Sequence, residues 1–397
     1  MTIAPKVSRG VRAVLFGATA VAALLLLLGG SDTGLGVHAG MAEPTPFTAE
    51  YYAAPSERFG VGLNTKVLVP FDATTRPARI TDYRVEDLHI GWYSDWRTSA
   101  DPLCPGGIKY GQLIRVKAAE YPTNTLSITE TVAANPGTLW IIGNEPEAKY
   151  KQGNRTPEEY AGIYHYLYSL IKGLDSTAWI AIGGVVEPTL LRLEWLDRVL
   201  DDYEVRFGEP MPVDVWNIHV QILQEKGAAF PGDQPWGAEI PVGLEATEGR
   251  MYTLLDNADP EILKTLVIEF RQWMKAKGFQ NKPLIISEYG VLMPSTYIAP
   301  DGDQITGDQL LIKFMRESFS FLLNEKDPEL GYPEDENRLV QQWLWFSLNA
   351  PVNGNLFSPE DPSRITQFGS AFRGYMHVLM GLPRVMLPVT THSYRPS

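Results

Sequence analysis

The sequence predicts an α/β fold, specifically a single (β/α)8 TIM barrel, because short apolar runs of strand type alternate with longer segments of helical spacing. Eight such runs follow one another, and each is nearly continuous in apolar residues, as expected for parallel strands buried on both faces. A doubly wound sheet is the alternative fold. The predicted strands are 58–64, 87–94, 110–117, 138–145, 177–185, 213–221, 282–290 and 340–348.

Helices are predicted between the later strands, at 156–174, 189–208, 259–278 and 306–325. The first of them has Thr156 as its N-cap and Pro157 in its first turn, and the next two each end at a glycine. The helix before the fourth strand is weaker and lies near 127–137. No good helix can be placed between the first two strands.

The N-terminus has the pattern of an export signal. Lys6, Arg9 and Arg12 precede a long apolar run at 13–30. This run is close to membrane-spanning length, so an uncleaved anchor that tethers the protein to a membrane is the alternative. We therefore expect an extracellular or cell-surface protein. The predicted divisions are a signal or anchor (1–42), a linker (43–54), a catalytic domain (55–386) and a tail (387–397).

Composition excludes several other classes of protein. The chain has 397 residues and a formal net charge of −13, which argues against binding to nucleic acid. Its single cysteine, Cys104, allows no disulfide within one chain, and the six histidines contain no local zinc motif. There is no phosphate-binding glycine loop. We therefore expect no cofactor and no metal. We also expect a monomer.

Two carboxylates occupy matching places in this pattern. Glu145 ends the fourth predicted strand and Glu288 ends the seventh. In a (β/α)8 barrel the chemistry lies where the strands end at the C-terminal face, and strands four and seven face each other across it. Either residue alone is better explained as the ion-pair partner of an Arg or Lys. Together they match the pair of carboxylates that glycoside hydrolysis requires.

The stretches "WIIGNEPE" and "PLIISEYG" resemble the signatures of clan A glycoside hydrolases. The resemblance implies a retaining enzyme in which Glu145 is the acid/base, Asn144 binds the sugar 2-hydroxyl and Glu288 is the nucleophile. A looser resemblance, through "GWYSDW" (91–96) and "VDVWNIHVQ" (213–221), is to the endo-β-1,3-glucanases of glycoside hydrolase family 128.

One residue departs from the clan A pattern. Clan A enzymes often have a tyrosine two positions after the histidine of the sixth strand, where it contacts the nucleophile. Here His219 is followed two positions later by Gln221. We expect both side chains in the cleft, with Gln221 as an altered hydrogen-bond donor to Glu288. A structural histidine whose hydrogen bonds are satisfied within the fold is the alternative for His219.

Aromatic residues near the strand ends are candidates for stacking on sugar rings, although core packing is the alternative for each. The resemblance to clan A implies that Trp345 forms the floor of the subsite that holds the cleaved sugar, and Tyr289 is predicted to form an aromatic wall. The remaining candidates, on remote subsites and on the loop 228–241, are Trp92, Tyr93, Trp96 and Trp236.

The predicted function is an exported retaining β-glycosidase whose partner is a β-linked poly- or oligosaccharide. The substitution at Gln221 motivates an alternative, a surface carbohydrate-binding protein without turnover on the same barrel. A metal-dependent hydrolase is a third hypothesis, for which only His89 and His219 lie near predicted strand ends.

Overall fold

The structure, a computed structural model, describes residues 52–71, 74–117, 121, 125–149, 152–226, 237–298 and 305–383. The predicted export signal or anchor, Trp236 and the C-terminal tail lie outside these ranges. No helix in the described part of the chain is long and apolar enough to cross a membrane.

Each of the eight predicted segments overlaps a strand of the described residues, and four further short strands, at 68–71, 74–77, 225–226 and 238–239, lie outside those segments. The strands are β1 (Phe59–Gly62), β2 (Leu68–Phe71), β3 (Thr74–Pro77), β4 (Trp92–Ser94), β5 (Lys109–Tyr110), β6 (Gln112–Ile114), β7 (Leu139–Asn144), β8 (Trp179–Gly184), β9 (Trp216–Val220), β10 (Glu225–Lys226), β11 (Ala238–Glu239), β12 (Leu284–Tyr289) and β13 (Gln342–Trp345).

The strands of the eight segments pair in parallel. One sheet has the order β5-β4-β1-β13-β12-β9 and another the order β6-β7-β8. The first strand pairs with the last, Val61 opposite Trp345. Two isolated parallel bridges, Ala181 to Val215 and Val185 to Ile218, join β8 to the β9 segment. The α/β prediction with parallel strands is therefore confirmed, and the carboxyl ends of these strands lie on one side.

The predicted helices are present with small changes at their ends. Thr156 caps the helix Pro157–Leu174 by accepting a hydrogen bond from Glu159 N. Short apolar faces on these helices cover the strands. The helices are α1 (Thr125–Ala134), α2 (Pro157–Leu174), α3 (Leu190–Phe207), α4 (Pro260–Ala276), α5 (Ser295–Ile298), α6 (Gly307–Asn324) and α7 (Gln367–Leu379).

The connection between β1 and β4 contains no α-helix among its described residues. It is an antiparallel hairpin, β2–β3, followed by 3-10 turns. The observed strand β4 begins later than the predicted second strand, because Val85–Leu88 form a 3-10 turn that ends at His89 with a left-handed φ of +51°. His89 therefore precedes β4 and lies at the opposite end from the predicted site, beside His377.

Buried side chains form two layers, which decide which residues can reach a cleft. The smaller cluster, which we call the inner layer, consists largely of strand side chains such as Trp92, Ile141 and Leu344. The larger cluster, the outer layer, adds the helix side chains and includes Tyr289 and Trp345. Neighbouring residues of a strand alternate between the layers, because their side chains point to opposite faces.

Candidate active site

Glu145, His219 and Glu288 meet at the carboxyl ends of three strands. Glu145 directly follows β7, and Glu288 lies opposite His219 in the pairing of β12 with β9. One side-chain oxygen or nitrogen from each of the three lies within 4.8 Å of the others. Residues far apart in the sequence thus share one site, and the two glutamates come together as the barrel reasoning predicts.

The backbone of Glu145 is held in an uncommon conformation. Its φ is +43°, in the left-handed region that non-glycine residues rarely adopt. The surrounding chain fixes it, since Glu145 N donates to Gly184 O at 2.9 Å and Glu145 O accepts from Ala148 N and Gly153 N at 3.1 and 3.0 Å. Such strain costs about 1–3 kcal/mol and persists where the surroundings enforce it. Here it turns the carboxylate out of the strand line while leaving it only 7% exposed.

Glu288 is surrounded by groups that favour its charged form. Gln221 Nε2 donates to Glu288 Oε1 at 2.8 Å. The indole N–H of Trp96 donates a further hydrogen bond, and the guanidinium of Arg115 adds attraction. The predicted role of Gln221 as a donor to Glu288 therefore has its geometry in place, and Trp96 reaches the cleft as predicted.

Burial nevertheless dominates the ionisation of Glu288. Loss of hydration raises the pKa of Glu288 to about 7, against the lowering effect of His219, while the negative charge of Glu145 raises it further. The negative charge of the nearby Glu145 is therefore one reason why Glu288 binds its proton more tightly than an isolated glutamate does.

His219 lies between the two carboxylates and is fully buried. Its Nδ1 is 3.1 Å from Glu145 Oε1, and its Nε2 is 3.1 Å from Ser287 Oγ. Burial alone lowers the pKa of His219, but the charges of Glu288 and Glu145 outweigh it, so that the pKa is raised. A protonated imidazole at this place partly compensates the negative charge of the two acids.

Two buried amides present oxygens without a partner in the described part of the chain. Asn144 Nδ2 donates to Gln152 Oε1 at 3.1 Å, while Asn144 Oδ1 is unpaired. Gln221 Oε1 is also unpaired, although Gln221 is only 1% exposed. An unpaired buried carbonyl oxygen costs free energy unless a ligand donates to it, so both oxygens are suited to bind hydroxyl groups.

The predictions for Trp345 and Tyr289 are wrong. Both side chains have no exposed surface and belong to the outer layer, where their rings meet edge to face at 5.4 Å. Trp345 Nε1 donates to Gly354 O at 2.8 Å. They lie opposite each other on β13 and β12, and both point away from the cleft. Neither can stack on a sugar.

The predictions for Trp92 and Tyr93 are also wrong. Trp92 is 2% exposed within the inner layer, and its Nε1 lies 3.4 Å from Arg58 O. Tyr93 points to the other face and donates from its hydroxyl to Leu103 O at 2.7 Å. It lines a different cavity of about 250 Å³, which neither glutamate lines.

Phe346 and Arg115 are site residues that the sequence reasoning missed. Phe346 follows Trp345 and packs edge to face against Trp96, with ring centroids 5.6 Å apart. Because neighbouring residues of a strand point to opposite faces, the residue next to Trp345 was the other candidate for the cleft. Arg115 directly follows β6, and its position at a strand end was the available signal.

Among the described residues, one group of side chains has oxygen and nitrogen atoms close enough together to bind a metal ion. It consists of Glu145, His219 and Glu288. Both nitrogens of His219 are already in hydrogen bonds with the protein, so an ion would have to displace them. We assign these residues no metal-binding role.

No family model and no curated protein matches the sequence. Among solved structures, the chain is similar to a glycoside hydrolase family 128 (subgroup II) endo-β-1,3-glucanase from Sorangium cellulosum, with 14% identity, a TM-score of 0.47, and coverage of 80% of this chain and 98% of that one. A glucosidase from Croceicoccus marinus matches with 13% identity, a TM-score of 0.49, and coverage of 81% and 68%. A family 128 (subgroup VII) oligosaccharide-binding protein from Trichoderma gamsii matches with 11% identity, a TM-score of 0.47, and coverage of 81% and 95%.

Proposed function

We propose that this protein is a retaining β-glycosidase that cleaves a β-linked poly- or oligosaccharide by double displacement. The observation that carries the proposal is the short distance between the Glu145 and Glu288 side chains at the carboxyl ends of two parallel strands. A carboxylate oxygen of one lies within 4.8 Å of a carboxylate oxygen of the other. Retaining glycosidases hold their carboxyl groups about 5–5.5 Å apart, whereas inverting enzymes need about 6.5–9.5 Å to admit a water molecule.

The proposal includes a closed (β/α)8 barrel as the scaffold. The pairing of β1 with β13, together with the bridges between the β8 and β9 segments, supports this closure. In such a barrel the carboxyl ends of all eight strand segments surround one mouth, which is where active sites of this architecture lie.

In the first step, Glu288 attacks the anomeric carbon while Glu145 donates its proton to the leaving oxygen. The bond from the anomeric carbon to that oxygen breaks, and an ester bond from the sugar to Glu288 forms. The hydrogen bond from Gln221 holds the attacking carboxylate in place. His219, within reach of Glu145, holds that carboxyl group against the reacting bond.

In the second step, a water molecule attacks the same carbon from the side that the leaving group vacated. Glu145, now ionised, accepts the proton of this water, and the ester to Glu288 breaks. The two inversions together retain the β configuration. Both glutamates return to their starting protonation states.

The sugar is held by the polar and aromatic groups around the two acids. The unpaired oxygens of Asn144 and Gln221 accept from hydroxyl groups. The rings of Trp96 and Phe346 offer flat apolar surface at the same place. The apolar run at 13–30 supports export or membrane attachment of the enzyme. We expect it to act as a monomer.

A surface carbohydrate-binding protein without turnover is the second candidate. The raised pKa of Glu288, about 7, favours it, because a protonated carboxyl group cannot attack the sugar. The two functions differ in their response to pH. A retaining enzyme gains rate as Glu288 ionises, whereas binding through hydroxyl and aromatic contacts does not require that charge.

Reducing-sugar release by the purified full chain on a panel of β-glucans, mannans, xylans and galactans tests the proposal. Glu145→Gln and Glu288→Gln serve as matched variants of nearly unchanged shape, and a parallel assay contains a metal chelator. Release by the parent that is lost in both variants and persists with the chelator supports the glycosidase. No release, with equal sugar binding by all three proteins, contradicts it and favours the binding protein.

A further inference from the structure

We infer that Asn257 is a positioning residue that keeps Gln221 against Glu288 by joining the chain segments that follow β9 and β12. The inference rests on the proposed function, because it gives Asn257 a role that acts through the proposed nucleophile. Asn257 lies in the 3-10 turn Asp256–Ala258 and its side chain is fully buried. Neither its position in the sequence nor any motif marks it as part of the site.

The side chain of Asn257 makes four hydrogen bonds to the backbone of two other segments. Its Nδ2 donates to Gln221 O at 2.8 Å and to Ile222 O at 3.0 Å. Its Oδ1 accepts from Leu292 N at 3.0 Å and from Met293 N at 3.1 Å. One amide thus satisfies four backbone groups, and every one of them lies just beyond a strand that carries a site residue.

The segment that Asn257 holds is strained where it leaves the site. Ile222 has a φ of +50°, which is unfavourable for a β-branched residue. Such a conformation persists only where the surroundings enforce it. The hydrogen bond from Asn257 to Ile222 O is one of the contacts that do so. The preceding residue, Gln221, then donates from its side chain to Glu288 Oε1 at 2.8 Å.

Loss of Asn257 should therefore reach the carboxylate through Gln221. A donor to the charged form of an acid lowers its pKa, so a displaced Gln221 leaves the pKa of Glu288 higher. We expect a rise of roughly 0.5–1 pH unit, the effect of one ordinary hydrogen bond. The charged groups around Glu288 are Glu145, His219 and Arg115, and the substitution touches none of them.

The experiment is a titration of Glu288 in the full chain, labelled with ¹³C at the glutamate carboxyl groups. The resonance of Glu288 is the one that disappears in Glu288→Gln. The titration is repeated in Asn257→Ala, in Gln221→Met, which removes the donor at similar volume, and in the double variant. Asn257→Ser is the milder substitution if Asn257→Ala does not fold.

Asn349→Ala is the matched control. Asn349 is also fully buried, and its Nδ2 donates to Asn64 O at 3.0 Å and to Tyr83 Oη at 2.8 Å. It joins the segments that follow β1 and β13 and makes no hydrogen bond to Gln221 or Glu288 within the described ranges. Any general loss of stability should be similar in the two asparagine variants.

We expect the pKa of Glu288 to rise in Asn257→Ala and in Gln221→Met, with no further rise in the double variant, and to stay at the parent value in Asn349→Ala. An unchanged pKa in a folded Asn257 variant would overturn the inference, and so would additive rises in the double variant. The titration needs no turnover. A parent that releases no sugar would therefore contradict the proposed function while the link from Asn257 to Glu288 was still measured.

Discussion

Replacement of Glu288 by glutamine should stabilise the fold while it abolishes activity. The pKa of Glu288 lies at about 7 in the folded chain, against an ordinary value of 4.5. The folded state therefore binds this proton more tightly than the unfolded state does. Its contribution to stability is fully present below pH 4.5 and is lost as the pH rises towards 7. Glutamine stays neutral and avoids this loss.

The expected gain in the free energy of unfolding follows from how far the pKa of Glu288 is raised. A rise of about 2.5 pH units corresponds to about 3 kcal/mol at roughly 1.36 kcal/mol per unit. Because the carboxylate is only partly buried, we expect Glu288→Gln to raise the free energy of unfolding by about 2–3 kcal/mol at pH 8. At pH 4 the variant and the parent should differ little.

Urea unfolding of parent and variant at pH 4, 6 and 8, followed by tryptophan fluorescence, measures the difference. The gain should grow between pH 4 and pH 7 and then level off. A gain that is the same at all three pH values would contradict this prediction, because it would come from packing and not from the ionisation of Glu288.

Three further predictions concern other contacts. Glu187 is fully buried with its pKa raised from 4.5 to about 8 by burial, so in the same urea assay the stability gained by Glu187→Gln should grow from about pH 4.5 to about pH 8 and then level off, while sugar release stays intact. Arg192 is buried between two glutamates, so Arg192→Met should lower the free energy of unfolding in urea by about 3–5 kcal/mol. The control Arg198→Met, at a half-exposed ion pair, should lower it by less than about 1 kcal/mol. Trp96→Phe keeps an aromatic ring but loses the hydrogen-bond donor to Glu288. The acidic limb of the pH–rate profile should therefore move to higher pH by roughly half a pH unit or more, and a limb at the parent's pH would contradict a role for this hydrogen bond.

The eight strand segments and the two glutamates were predictable because their signals are local. A buried apolar run that stops abruptly at a charged residue marks a strand end, and Glu145 and Glu288 both follow such runs. The hairpin β2–β3 carried no comparable signal, since it is short and its sequence lacks alternation.

The aromatic residues of the site could not be assigned in the same way. When a strand is buried on both faces, alternation is absent from the sequence, so nothing shows which side chain points inward. The sequence favours Trp345 as the stacking residue, whereas the ring beside Trp96 is that of its neighbour Phe346. Trp96 lies at the site because its φ of +58° turns the chain after β4, which no pattern reveals.

Asn257 illustrates a second limit. Its role depends on contacts between segments that are distant in the sequence, and a single sequence holds no record of those contacts. The ends of predicted strands therefore indicate the reacting groups of a site but not the residues that hold those groups in place.

Trapping of the covalent intermediate would identify the nucleophile of the proposed double displacement. The full chain is incubated with a 2-deoxy-2-fluoro-β-glycoside of the sugar that the substrate panel identifies, and the labelled peptide is located by mass spectrometry. We predict one sugar per chain, attached to Glu288, and no label in Glu288→Gln. A label on Glu145, or turnover without any trapped intermediate, would contradict the double-displacement account.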